Sequence, residues 1–219
     1  MTDLGPVFLT PMGRTGGTLF VTMLDAHPDL AMSYEIYEDR LMSDSGPALR
    51  LDWIILQLRA AGRAHTDQTE CIRALPDKNL QTFMFRARRA GLDVPEILEE
   101  FELYALDAGE LDSLDGRLNI IDRLMRRKMR KTGKRIWGGK ARVNPRDLHR
   151  RHPNAKFFAM IRDGRDVLAS MLKTGSFQTN PQRAAHEWTS HIRSFREFAD
   201  STGAQAMEIS YERLVHHPH

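Results

Sequence analysis

The chain has 219 residues, 41% hydrophobic and 28% charged, with a formal net charge of +3. This composition excludes a disordered or collagen-like chain, the weak charge leaves no footprint for nucleic acid, and no run approaches the ~18 apolar residues of a membrane helix. The length argues for one domain over residues 1–219, while a lone cysteine, Cys71, and an amino end without a signal-peptide pattern point to a reducing, cytoplasmic setting.

In chain order, the first element is a short apolar strand, Val7-Phe8-Leu9, which runs into a glycine-rich turn and then a helical pattern carried by Leu19, Phe20, Met23 and Leu24. A mostly helical block follows over about 45–131, punctuated by Gly62, Pro76, Gly91 and Gly109. Within it, eight acidic residues fall between Glu96 and Asp115 before the first base, and eight basic ones between Arg123 and Arg135 with no acid. Two adjacent solvated helices account for this pattern; alternatively, the basic stretch from Arg126 draws in an anionic substrate.

A weaker strand is expected at Arg135-Ile136-Trp137, and clearer ones at Lys156 to Arg162 and Ala206 to Ser210. Trp188, Ile192, Phe195 and Phe198 mark one buried helix face. Strand, turn and helix recurring in this order predict a parallel α/β sheet.

Chemistry concentrates in two segments. In Gly13-Arg14-Thr15-Gly16-Gly17-Thr18, glycines let backbone amides converge at a helix amino end, with Thr15 and Thr18 as hydroxyl donors and Arg14 as a charged fork. This is not the nucleotide-triphosphatase loop, because no lysine occurs in it. In the second segment, Arg162 ends a strand and Ser170 lies about two turns into the next helix by the ~3.6-residue period, so both can face a second phosphate. The histidines at 216, 217 and 219 read as incidental, and no metal site is expected.

The loop at 13–18, followed by Met23-Leu24-Asp25-Ala26-His27-Pro28-Asp29, resembles the 5′-phosphosulfate loop of sulfotransferases. His152 to Arg165 with Ser170 looks like their 3′-phosphate site, and Ile209-Ser210-Tyr211-Glu212 is similar to their strand-end Tyr-Glu motif. The likeness is to tyrosylprotein sulfotransferases and related bacterial enzymes. It implies a three-layer P-loop-like fold with a parallel sheet flanked by helices and a helical insertion. It also implies sulfuryl transfer from 3′-phosphoadenosine 5′-phosphosulfate (PAPS) to an acceptor hydroxyl without a metal.

By the same resemblance Glu35 is the base, with Glu38 as the fallback, while Arg14 and Lys140 stabilise the transferring group. Arg162 and Ser170 then hold the 3′-phosphate, and Tyr211 contacts the nucleotide. The acceptor is a glycan, small molecule, lipid or peptide, met by the helical block. Gly17 stands where the family usually has a hydroxyl residue, and the family's closing segment beyond the Tyr-Glu motif is expected to be missing. A PAPS-binding protein without turnover is therefore the alternative, and a P-loop phosphotransferase a more distant one.

Overall fold

The structure is a computed structural model that describes residues 4–37, 41, 48–174 and 180–217. The first unit is β1 (Val7–Thr10), the glycine loop and α1 (Gly17–Ala26), followed by β2 (Leu30–Tyr37). The helical block is α2 (Leu51–Ala64), α3 (Gln68–Arg73), α4 (Lys78–Arg89), α5 (Val94–Leu106) and α6 (Leu114–Lys131). Then come β3 (Ile136–Ala141), α7 (Pro145–Arg151), β4 (Lys156–Ile161), α8 (Gly164–Thr174), α9 (Pro181–Thr202), β5 (Gln205–Ser210) and α10 (Tyr211–His216).

The strands form one parallel sheet in the order β2-β3-β1-β4-β5. From β1 the chain passes to the β2 edge, returns through β3 between the two, and then crosses to β4 and β5 on the other side of β1. The carboxyl end of that strand is therefore the switch point, where a doubly wound sheet opens a ligand crevice.

Alternation along β1 builds the three layers, since successive side chains point to opposite faces. Val7 and Leu9 pack with Phe20 and Val21 of α1, and with Met32 and Met160. Phe8 faces the other way, into a larger core with Tyr37, Trp137, Phe157, Phe198 and the buried residues of the helical block. Phe157 and Phe198 meet edge to face at 4.9 Å, which locks α9 onto β4. At Gly138, β3 runs tight against β1: a Cβ there would lie 1.8 Å from the Val7 carbonyl oxygen, so only glycine fits.

Two expectations change. Leu30–Tyr37 forms an eight-residue strand that the sequence pattern does not announce. Its residues are buried on both faces, beneath α1, α4 and α6, so the alternation that marks a half-exposed strand is missing. The weak strand at 135–137 extends to Ala141, which brings Lys140 inside β3.

The opposed charge runs do form two adjacent helices, but the charges pair instead of facing solvent separately. Arg127 lies 2.6 Å from Glu99 and 3.2 Å from Glu100, Arg123 lies 2.7 Å from Asp107, and Lys131 lies 2.9 Å from Glu96. Lys128 is buried against Asp25 at 2.8 Å. Most of the basic run is thus used to hold α6 to α5 and α1. Cys71 is buried in the larger core. Among the described residues, no helix is long and apolar enough to cross a membrane, and no group of three or more His, Cys, Asp or Glu could hold a metal.

Candidate active site

The glycine loop leaves β1 at Thr10, whose hydroxyl donates to the Phe158 carbonyl at 3.1 Å. Arg14 and Gly16 adopt left-handed backbone conformations, φ +67° and +89°. Such turns gather successive N–H groups into a concave anion site. Gly16 is the N-cap of α1 and offers no side-chain cap, so the helix's amino-terminal donors and its partial positive charge face the loop. A Cβ at Gly16 would lie 2.4 Å from the Tyr211 ring, so both conformation and space demand glycine there.

Thr15 and Thr18 differ in placement. The Thr15 hydroxyl is buried and donates to the Met12 carbonyl at 3.0 Å, so it fastens the loop rather than facing out of it. Thr18 is exposed on the first turn of α1. Gly13 is half-buried. Gly17 opens α1 in a tight position, where a Cβ would meet Leu9 at 3.2 Å and the Lys140 Cε at 3.7 Å.

The second segment closes against the first. Arg14 Nε donates to Ser170 Oγ at 2.8 Å, and Arg162 Nη1 donates to the Arg14 carbonyl at 3.2 Å. The Arg162 guanidinium lies over the Tyr211 ring, 4.4 Å from its centre, and its Nε is buried without a hydrogen-bond partner among the described residues. Tyr211 therefore stands between the two loops, touching Arg162 and filling the space over Gly16.

Glu212 accepts the Asp163 amide at 2.9 Å and the Ser210 hydroxyl at 3.0 Å, which fixes the turn after Arg162. Trp188 Nε1 donates to the Arg162 carbonyl at 3.0 Å from the α9 side. Arg165 bonds Asp163 and pulls its carboxyl down to about 2, so this turn keeps its ion pair at any ordinary pH.

Glu35 is not an exposed loop carboxylate. It lies in β2 and is 9% exposed, with φ +52° where the β2–β3 register shifts between Ser33 and Tyr37. The irregularity turns its side chain toward β3. Lys140 Nζ stands 2.6 Å from Glu35 Oε1, Arg86 Nη2 3.3 Å from Oε2, and Arg142 Nη2 3.8 Å from Oε1. Burial pushes the carboxyl upward, but the Lys140 hydrogen bond and the surrounding cations prevail and hold it below the ordinary glutamate range. Lys140 is 6% exposed, not a surface lysine, and its ammonium lies 4.9 Å from the Tyr34 ring centre. Glu38 lies outside the described residues, as does His219.

A cleft of about 700 Å³ opens at the carboxyl ends of β1 and β3, with Thr10, Pro11, Arg142 and Val143 on one side and His191 and Ser194 of α9 on the other. Arg142 joins it to Glu35. The helical block reaches Glu35 instead through Arg86.

Sequence reasoning missed Arg86, Arg142 and the role of Glu212. Arg142 follows Lys140 by two residues and was within reach of the motif, and Glu212 stands in the Tyr-Glu pair. Arg86 is one arginine of several on an amphipathic helix, with no local signal to set it apart.

A parallel sheet with a glycine loop at its switch point, and a second basic loop beside it, defines a P-loop-like α/β protein. Residues 6–219 match the sulfotransferase family, and the chain belongs to it. Over 76 residues it is 30% identical to proteins of Caenorhabditis briggsae and Caenorhabditis elegans named protein-tyrosine sulfotransferase. Each match covers 32% of this chain, and 27% and 29% of those proteins respectively. The fold is similar to the sulfotransferase domain of the olefin synthase from Synechococcus PCC 7002, with a TM-score of 0.57 and 18% identity. That likeness covers 97% of this chain and 68% of the solved one.

Proposed function

We propose that the chain transfers a sulfuryl group from PAPS to an acceptor hydroxyl, with Glu35 as the base. The observation that carries this reading is the buried Glu35–Lys140 pair, 2.6 Å apart, with the Lys140 stem beside Gly17 at the amino end of α1. A general base, a cation and an uncapped helix terminus thus stand together at the sheet's switch point.

The donor fits the residues present. The loop at 13–18 would take its 5′-phosphosulfate, and the partnerless Arg162 Nε, with Ser170, supports a second anion site for the 3′-phosphate. When bound, the donor supplies a sulfuryl group on a phosphate leaving group. The chain's own residues supply position and charge, which a loose transition state of this type needs most. Glu35 is ionised at neutral pH and so is ready to take the acceptor's proton as the new S–O bond forms and the bond to the 5′-phosphate breaks. Lys140 and Arg14 offset the charge that gathers on the departing phosphate.

The cleft beside Arg142 is of a size to admit a hydroxyl-bearing acceptor such as a glycan, a small molecule, a lipid headgroup or a peptide side chain. A reducing, cytoplasmic setting agrees with the single buried cysteine.

The test is transfer of labelled sulfate from PAPS to sugars, phenols, lipids and peptides, alongside calorimetry with adenosine 3′,5′-bisphosphate. Transfer that Glu35→Gln abolishes is the expected result. Bisphosphate binding without transfer to any acceptor selects a binding protein without turnover, and failure to bind the bisphosphate overturns the reading.

A further inference from the structure

Glu35 has a backbone that a β-strand does not normally allow. A non-glycine residue at φ +52° is strained, and it persists only where its surroundings hold it. The cations from β3 explain where the Oε1 atom points. They do not explain what holds the backbone.

Helix α4 packs on β2 and supplies that hold. Its core-facing residues are Leu80, Phe83, Met84 and Ala87, and Arg86 lies beside that stripe, toward β2. The Arg86 guanidinium grips one residue at two points. Its Nη2 lies 3.3 Å from Glu35 Oε2, and its Nη1 donates to the Glu35 carbonyl oxygen at 3.3 Å. Arg86 and Glu35 side chains are 16% and 11% exposed, so water screens this grip little.

A planar fork can span a carbonyl and a carboxylate together; a lysine ammonium, as a point charge, cannot hold both in one orientation. Among the described residues, the cations around the carboxylate are Lys140 from β3, Arg142 just beyond it and Arg86 from α4, with Tyr34 under the Lys140 ammonium.

We infer that Arg86 is a positioning residue, which pins both ends of a left-handed Glu35 and so aims the base at the transfer site. The inference rests on the reading of Glu35 as the base. It gives the helical block a part in the chemistry, because the block carries the residue that sets the base's direction.

The test compares Arg86→Lys and Arg86→Gln with the unaltered protein. In the ligand-free chain, the Glu35 carboxyl is titrated by carbon NMR with labelled glutamate. Arg86→Gln is expected to raise its midpoint toward the ordinary range, and Arg86→Lys, which keeps the charge, to leave it nearly in place. Both are expected to lower kcat, by about tenfold to a hundredfold for a displaced base, with the donor KM within twofold. In a Glu35→Gln background, Arg86→Gln should add no further loss.

Full activity in Arg86→Lys, an unmoved Glu35 midpoint in Arg86→Gln, or a further loss in the Glu35→Gln background would each overturn the inference. Full activity in Glu35→Gln itself would instead sink the base assignment, while the titration still judges the Arg86 grip. Folding of each variant is checked by thermal unfolding. If Arg86→Gln does not fold, Arg86→Lys decides by its rate and its Glu35 midpoint.

Discussion

The Lys140 ammonium stands 2.6 Å from Glu35 Oε1 across the β2–β3 pair, although 105 positions separate the two residues in the chain. Both side chains are nearly buried, at 7% and 11% exposure, so the pair is a tightly held element and not a surface contact. Removing one partner leaves a buried charge incompletely matched, and that sets the first expectation. Lys140→Met should destabilise the fold by about 3 kcal/mol in urea unfolding, and should abolish transfer. A loss below 0.5 kcal/mol, the size of an ordinary surface substitution, would count against the buried pair.

The proposed role of Glu35 as base can be tested apart from donor binding. Glu35→Gln should lower kcat by a factor on the order of 10²–10⁴, the usual worth of a positioned base. Its affinity for adenosine 3′,5′-bisphosphate, read by calorimetry, should stay within a few-fold. A parallel loss of bisphosphate affinity would place Glu35 in donor binding.

Gly16 and Tyr211 form a second coupled pair. Gly16→Ala must adopt φ +89°, at roughly 1–2 kcal/mol, with its new Cβ driven against the Tyr211 ring. Bisphosphate affinity should fall at least tenfold. Removing the ring in Gly16→Ala/Tyr211→Ala relieves the clash but not the backbone strain, so part of the stability loss should return in thermal unfolding. Strictly additive losses would show that the ring does not set the cost.

Arg162 should report on the 3′-phosphate. Arg162→Lys keeps one charge but loses the stacking on Tyr211, which lies 4.4 Å from the guanidinium. The variant should bind adenosine 3′,5′-bisphosphate about tenfold less tightly, with little change for adenosine 5′-monophosphate. Equal weakening of both ligands would place Arg162 at the 5′ end.

Acid should weaken the site through Glu35 and Glu212. Burial is the largest single influence and raises both carboxyls. The Lys140 hydrogen bond with the Lys140, Arg86 and Arg142 charges at Glu35, and the backbone amides, Ser210 hydroxyl and Arg162 charge at Glu212, together outweigh it and leave both below the ordinary glutamate range. Groups lowered on folding stabilise fully above their unfolded values, and that stabilisation is lost as pH falls through the lower folded ones. Stability should therefore be flat near neutrality and decline below the ordinary glutamate range. The decline should be shallower in Glu35→Gln/Glu212→Gln; an unchanged acid limb in that variant would refute the assignment.

Much of this site was legible because its signals are local. The glycine loop follows an apolar strand and opens a helix, and Arg162 and Ser170 are eight positions apart along one strand–helix turn. Glu35 was legible as a candidate but not as a strand residue, because β2 is buried on both faces and shows no alternation. Lys140 looked like a lysine beyond a strand because Gly138 and Gly139, poor strand formers in isolation, hide the continuation of β3. The basic run from Arg126 suggested an anion partner, yet its charges were matched by carboxylates in the preceding helix and in α1.

The sequence by itself determined the α/β class and the order of the glycine loop and the Arg162 turn, since those depend on neighbours a few positions away. The tertiary structure alone decided that Glu35 is gripped by Lys140, Arg142 and Arg86, that Tyr211 joins the two loops, and that the charged helices neutralise one another. Those relationships join residues far apart in the chain, and their strength comes from burial and geometry, which exist only once the sheet has closed under its helices.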